Sequence, residues 1–224
     1  MFATDPPSDC RDCPRLAAFR VANKAQFPDW ANAPVASFGS TDARLLVVGL
    51  APGLRGANRT GRPFTGDYAG DLLYATLLKF GLARGRYDRR ADDGLTLTDC
   101  AIVNAVRCVP PQNKPTPAEI ANCRRYLTGA LAGLARLRVV VALGRVAHES
   151  LLRAFALPLA RHPFAHGAVH DLGGGRPALF DSYHCSRYNT NTGVLTAAMF
   201  DRVFETVRTR LEQDGAEPPR SRIG

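Results

Sequence analysis

An α/β architecture with a central, mostly parallel four-stranded sheet and helices on both faces is predicted by three features of the chain. Four short, continuously apolar runs are spread along it, at residues 44–50, 101–106, 138–143 and 177–183. Strands buried on both faces have this appearance, whereas half-exposed strands alternate apolar and polar residues. The runs are separated by segments of helical periodicity, so strand and helix alternate. The length, 224 residues, suffices to bury a sizeable core, and residues 1–224 are read as a single domain.

Taken in order, residues 1–40 carry Pro6, Pro7, Pro14, Pro28 and Pro34 and read as an irregular arm with a short helix over 16–25. RLLVVGL (44–50) is the first strand, and a Gly-rich loop follows it to about residue 69. Leu72, Leu73, Ala75, Thr76 and Leu77 then mark a helix over 71–81. The second strand, 101–106, leads into the Pro-rich turn VPPQNKPTP. Thr116-Pro117-Ala118-Glu119 opens the next helix, with an N-cap threonine, proline at the first helical position and a glutamate that completes a capping box. RVVVAL (138–143) is the third strand, and Gly144 separates it from a helix over 145–155. A fourth strand at 177–183 precedes a last long helix over 193–211, and the tail 214–224 is expected to fray. Sites in such folds lie at the carboxyl ends of the strands. The loops after Leu50, Val106, Leu143 and Tyr183 are therefore expected to converge.

Apolar residues make up 46% of the chain and charged residues 22%, the composition of a soluble globular protein. The net charge of +9 points to a polyanionic partner, a nucleic acid or an anionic membrane surface. The apolar stretches are far too short to span a bilayer. The N-terminus, MFATDPPSDC, lacks a basic region followed by an apolar run, so a cytoplasmic location without membrane attachment is expected. The glycines of GLAPG fit neither a dinucleotide-binding pattern nor a Walker sequence, which weighs against a nucleotide-binding enzyme.

In that compartment six cysteines imply metal binding or plain burial before disulfides. Cys10 and Cys13 form a C-x2-C pair, and fourteen residues separate Cys108 from Cys123. Four thiolates suit a [4Fe–4S] cluster or a structural zinc, and the softness of sulfur does not choose between them. Cys100 begins a strand and reads as a core residue, whereas Cys185 follows a histidine in a loop. His162, His166 and His170 have metal-like spacing, but Pro163 and Gly167 break the helix that would align them.

The segment GLAPGLRGANRTGRPFTGD (49–67) resembles the first signature of the family 5, or type B, uracil-DNA glycosylases. NAVRCVPPQNKPTPAEI (104–120) is similar to the region those enzymes share with family 4. VALGRVAHESLL (141–152) and HPFAHG (162–167) are similar to further family segments. SYHCSRYNTNTG (182–193) resembles the second signature in its histidine and its Asn-Thr-Gly ending. Family 4 has an acidic residue after the opening glycine of its first motif, and Leu50 stands there instead. The chain departs from the pattern at Cys185, where proline or valine is usual, and at Asn104, a residue more typical of family 4.

The resemblance implies a uracil-DNA glycosylase-like fold, a [4Fe–4S] cluster on Cys10, Cys13, Cys108 and Cys123, and a monomer acting on DNA that contains uracil or another deaminated base. Such an enzyme extrudes a nucleotide and hydrolyses the bond between base and sugar. The transition state has a cationic sugar and an anionic leaving base, so donors near the base and a polar group near the water are needed. His184, at a strand end, is the candidate donor to the uracil O2. Asp67 is the candidate carboxylate for the water or the sugar, because Ala51 stands where other uracil glycosylases place an aspartate; its competing use is as a helix N-cap. Phe64 offers a face for the base to stack on. Asn104 and Asn113 carry amides with both a donor and an acceptor, as the O4–N3 edge of uracil requires, although Asn113 also suits a turn. Asn113 is grouped with the catalytic candidates, and Gly49, Ala51 and Asn189 join Phe64 and Asn104 as substrate-contacting positions of the two signatures. Arg55, Arg59, Arg62, Lys114, Arg145 and Arg187 sit on the same loops, and several of them are expected to meet phosphates, the competing use of each being a solvated surface charge. A non-catalytic nucleic-acid-binding module with a structural zinc on the four cysteines explains the charge and the thiols but leaves the two signature loops unexplained.

Overall fold

The structure is a computed structural model that describes residues 2–216. Its elements in chain order are α1 (Pro14–Gln26), β1 (Phe38–Gly39), β2 (Leu45–Gly49), α2 (Ala57–Thr60), α3 (Tyr68–Lys79), β3 (Ala83–Arg84), β4 (Thr96–Leu97), β5 (Cys100–Asn104), α4 (Pro117–Gly133), β6 (Val139–Leu143), α5 (Arg145–Ala154), β7 (Val169–His170), β8 (Ala178–Ser182), α6 (Arg187–Asn191) and α7 (Ala197–Ala216).

The sheet runs in the order β1-β5-β2-β6-β8-β7. The four inner strands are the four apolar runs, and they are parallel throughout. The expected count of four is thus two short: β1 and β7 add antiparallel edges of two residues each. Strands so short have no periodicity that a sequence pattern can reveal. A separate ribbon, β3 with β4, was likewise not foreseen.

Alternation along the inner strands sends side chains to opposite faces. Leu45, Val47, Ile102, Val141 and Phe180 pack with Leu73 and Leu77 of α3 and with Phe200 and Phe204 of α7. Leu46, Val48, Val103, Val140 and Leu179 pack on the other face with Leu127 of α4 and with Ala147 and Leu151 of α5. Each inner strand residue is therefore buried whichever way it points.

The start of α4 is as expected: Thr116 Oγ1 accepts from the Glu119 amide, and Glu119 Oε2 accepts from the Thr116 amide at 2.7 Å. Helix α3 begins at Tyr68, three residues earlier than its periodicity suggested. The expected helix over 193–211 is α7, which begins four residues later, and the short helix α6 before it lies in a segment read as loop. Helix α7 continues to Ala216, past the start of the segment expected to fray, and residues 217–224 lie outside the described ones. The arm is less irregular than its prolines implied. Helix α1 has Pro14 in its first turn, and Arg15 binds Glu119 of α4 through both carboxylate oxygens. No helix among the described residues is long and apolar enough to cross a membrane.

Candidate active site

The parallel register brings the carboxyl ends of β2, β5, β6 and β8 to one edge, where their following loops meet. A cleft of about 740 Å³ opens there. Asp67, Phe64, Asn104, Ala51, Asn113 and His184 all line it, together with Arg55, Tyr68, Ser186 and Arg187.

The first loop is held rigidly. Arg62 is buried, paired to Asp93 by two 2.8 Å bonds, and its guanidinium lies against Phe38, Tyr74 and Tyr87. The expectation that Arg62 meets phosphate is therefore corrected: its charge is used inside the protein. Tyr74 donates to the Pro63 carbonyl at 2.6 Å, and Tyr87 donates to the Phe64 carbonyl at 3.3 Å. Phe64 takes a left-handed backbone conformation, with φ of 53°, unusual for a residue with a bulky side chain. Gly70 permits this turn, since a Cβ there would stand 1.7 Å from the Phe64 carbonyl oxygen. The Phe64 ring faces that of His184 with centroids 6.0 Å apart and planes 29° from parallel.

Gly49, at the end of β2, is not itself part of the cleft wall, but it sets the floor. A Cβ at Gly49 would lie 2.4 Å from the Phe64 ring and 2.5 Å from Asn104 Oδ1. Asn104, opposite Gly49 in the register, is buried, and its Nδ2 has no partner among the described residues. Such an orphaned donor costs on the order of 1–3 kcal/mol unless something else binds it.

Asp67 occupies the N-cap position of α3, yet its side chain makes no capping hydrogen bond. Its Oδ1 is buried without a partner among the described residues, and its Oδ2 fits against Gly53 and Gly56, where a Cβ would come within 2.7 and 2.2 Å. Burial pushes the carboxyl above its usual range; the amide dipoles of Gly70 and Ala69 offset part of this, and the Asp71 charge adds to it.

His184 follows β8 by two residues. Part of its surface is open to the cleft, but the ring lies deep beneath the outer surface, and this burial lowers it from 6.5 to about 4. It is therefore a neutral imidazole at neutral pH. Neither ring nitrogen has a hydrogen-bond partner among the described residues, while the backbone around it is fixed. Asn189 Nδ2 donates to the His184 carbonyl at 2.8 Å, and the Tyr183 amide donates to His166 Nδ1 at 3.1 Å. Asn189, expected among the substrate contacts, thus stands behind His184 and outside the cleft wall. Asn113 lies exposed at the rim with φ of 57°, so the turn geometry and a cleft position coincide in one residue.

Cys10, Cys13, Cys108 and Cys123 line a second, much smaller cavity with Leu16, Val106 and Arg107. Ala51 packs against this group from the cleft side. Arg20 Nη1 donates to Cys108 Sγ at 3.1 Å, and the Arg107 amide donates to Cys123 Sγ at 3.3 Å. The Arg107 guanidinium is fully buried; one nitrogen binds Asp5 at 2.8 Å, and its Nε and Nη2 have no partner among the described residues. Arg20 and Arg107 were missed from sequence, since a charge beside a cysteine has no periodicity to mark it. Cys100 is a core residue as expected, and Cys185 is buried with its Sγ 3.4 Å from the Ala69 carbonyl.

Residues 36–208 match the Uracil DNA glycosylase superfamily, and the chain belongs to it. Within that superfamily it falls with the type-5 uracil-DNA glycosylases. It is 51% identical over 201 residues to the type-5 uracil-DNA glycosylase of Thermus thermophilus, covering 87% of this chain and 90% of that protein. It is 42% identical over 210 residues to the type-5 enzyme of Mycobacterium bovis, covering 90% and 78%. Similarity to the type-4 uracil-DNA glycosylase of Archaeoglobus fulgidus is narrower, 34% over 139 residues and 62% of each chain.

Proposed function

We propose that the chain removes uracil from DNA by hydrolysing the bond between base and sugar. The observation that carries this reading is a set of polar groups around one cleft: the buried, unpartnered Asp67 Oδ1 and Asn104 Nδ2, with the half-buried ring of His184 beside them. Buried polar groups without partners are rare, and here they converge on a space that admits an extruded nucleotide. Phe64 stacks on the base, and the Asn104 amide pairs with its O4–N3 edge. The bond between C1′ and N1 breaks, and negative charge moves onto the base. A neutral His184 donates an N–H to O2 and holds that charge. Water, oriented by the Asp67 carboxylate, adds to C1′ and passes its proton to that carboxylate, from which it returns to the departing uracil anion; the carboxylate also faces the developing positive charge of the sugar. Arg55 and Arg187, on the cleft wall, are placed for phosphates. The described elements form one sheet with its flanking helices and one short ribbon beside them, which supports reading residues 1–224 as one domain. Purified protein is expected to render a uracil-containing oligonucleotide sensitive to alkaline scission. Scission of hypoxanthine or xanthine substrates alone would overturn the assignment of uracil.

We further propose that Cys10, Cys13, Cys108 and Cys123 hold a [4Fe–4S] cluster. The residues fit an anionic group larger than one ion. Tetrahedral zinc at about 2.3 Å from each sulfur brings sulfurs about 3.8 Å apart, yet among the described residues no three cysteine sulfurs come within 4.8 Å of one another. The unpartnered nitrogens of buried Arg107 and the Arg20 contact supply positive charge beside the cavity. When bound, the cluster would tie the arm, through Cys10 and Cys13, to Cys108 in the loop after β5 and to Cys123 on α4. Protein purified at low oxygen is expected to be brown and to contain iron and sulfide; a colourless protein with stoichiometric zinc would overturn this.

A further inference from the structure

A second polar cluster lies on the other face of the sheet, between α5 and the β8–β7 edge. Asp181 of β8 and His148 of α5 are buried, and the His170 side chain on β7 is 11% exposed. His148 Nδ1 lies 2.8 Å from Asp181 Oδ1, and His170 Nε2 lies 3.1 Å from Asp181 Oδ2. His148 Nε2 lies 2.8 Å from the carbonyl oxygen of His162. One ligand atom from each of His148, His170 and Asp181 falls within 4.8 Å of the other two.

The hydrogen-bonding capacity of these groups does not balance for a neutral His148. A carbonyl oxygen only accepts, so the His162 contact places a hydrogen on His148 Nε2. The other ring nitrogen, Nδ1, then carries a lone pair, and it faces a carboxylate oxygen that also carries only lone pairs. Two lone pairs 2.8 Å apart in a buried site require either a proton or a metal ion between them, and the second imidazole, His170, on the same carboxylate makes a metal site of the group. We propose that His148 Nδ1, His170 Nε2 and the Asp181 carboxylate bind a divalent first-row metal ion, zinc fitting the donor set best. Two imidazoles and a carboxylate are common zinc ligands. Metal-binding histidines characteristically donate their other ring N–H to a backbone carbonyl, as His148 does to His162. Tetrahedral ligation at about 2.0 Å separates ligand atoms by about 3.3 Å, so the two contacts to Asp181 need open by only a few tenths of an ångström. The His162 ring, 5.6 Å from that of His170 between centroids, or a water completes the set. This differs from the sequence pattern of His162, His166 and His170, since His166 instead stacks on Tyr183 with centroids 5.0 Å apart.

The ion's role is to pin the segment carrying His162 and His166 to the sheet edge. That segment holds the Tyr183 amide through His166, immediately before His184. The test uses protein with its cysteine site filled, washed with chelator and then dialysed against zinc chloride. One zinc per chain is expected by mass spectrometry, with nitrogen and oxygen neighbours in zinc-edge X-ray absorption. Tm is expected to rise by roughly 5 °C or more at a hundredfold excess over Kd. His170→Gln is expected to lose the zinc with iron content unchanged. Absence of bound zinc, sulfur neighbours, or zinc retained in folded His170→Gln would each overturn the proposal and leave a proton between His148 and Asp181.

Discussion

Two aspartate–histidine regions flank the carboxyl half of β8, and they treat their polar atoms in opposite ways. Around Asp181, each carboxylate oxygen meets a histidine nitrogen, and the far nitrogen of His148 meets a carbonyl. In the cleft, Asp67 Oδ1 and the ring of His184 meet nothing among the described residues, although both are largely withdrawn from water. The first arrangement is closed on itself, and a cation held between His148 and Asp181 satisfies every polar atom in it. The second leaves desolvated groups waiting for a substrate, and the surrounding loop is braced by Arg62, Tyr74 and Tyr87 so that they cannot relax onto one another. Preorganisation of this kind costs stability and is recovered in the transition state. A carboxylate and an imidazole therefore do not identify a catalytic site by their presence. What distinguishes the two regions is whether their hydrogen-bonding capacity is used.

The comparison predicts that each region fails in its own way when broken. Asp181→Ala carries the largest expected effect, a loss of about 3–5 kcal/mol in unfolding free energy, because it strips a buried cationic partner of its counter-charge. Urea denaturation measures it, and the folded fraction is expected to lose far less of its excision rate than His184→Ala does. Next comes His184→Ala, expected to slow single-turnover excision by on the order of a hundredfold or more while DNA binding stays close to wild type. An unchanged rate would place the leaving-group donor elsewhere, with Asn104 the first alternative. Asp67→Asn is expected to slow excision as well, without loss of Tm, since it removes a desolvated charge that caps nothing. If Asp67→Ala, which unlike asparagine cannot cap a helix, loses about 1 kcal/mol of stability and no rate, the residue is a helix cap after all.

Much of this contrast was legible in the chain, and the exceptions share a cause. Continuous apolar runs such as RLLVVGL located all four inner strands, because burial on both faces leaves a mark that depends only on neighbouring residues. The cleft residues Phe64, Asp67, Asn104 and His184 lie in the signature segments and were named from them. The Asp181 network was invisible: His148 and Asp181 are 33 residues apart, on a helix and a strand that meet only through the parallel crossover. Edge strands Phe38–Gly39 and Val169–His170 were missed for a related reason, since pairing to a preformed neighbour, not their own pattern, makes them strands. Asn189 and Arg62 show the limit of motif reasoning. A signature fixes where a residue sits in the chain, but whether it faces the cleft or braces it from behind depends on side-chain packing.

The smallest effect, and the one that sharpens the comparison most, is in the pH dependence of the cleft pair. His184 is lowered from 6.5 to about 4 by burial. Between those values the unfolded chain binds a proton there and the folded chain does not, so this residue makes stability fall as pH drops through that window. Asp67 is raised above 3.8, again by burial. Between 3.8 and its raised value the folded chain holds the extra proton, so this residue makes stability fall as pH rises. The two slopes oppose each other. His184→Gln is therefore expected to reduce acid sensitivity between pH 6.5 and 4, and Asp67→Asn to improve stability at neutral pH, both read from urea midpoints across pH. The wild-type excision rate is expected to hold through pH 6.5, because His184 is already neutral there. It is then expected to decline on the acid side as Asp67 takes up its proton, with a midpoint above 3.8. A break near 6.5 that is present in wild type and in Asp67→Asn but absent in His184→Gln would mean that His184 titrates like an exposed histidine in the working enzyme, and the neutral-donor role would have to be given up.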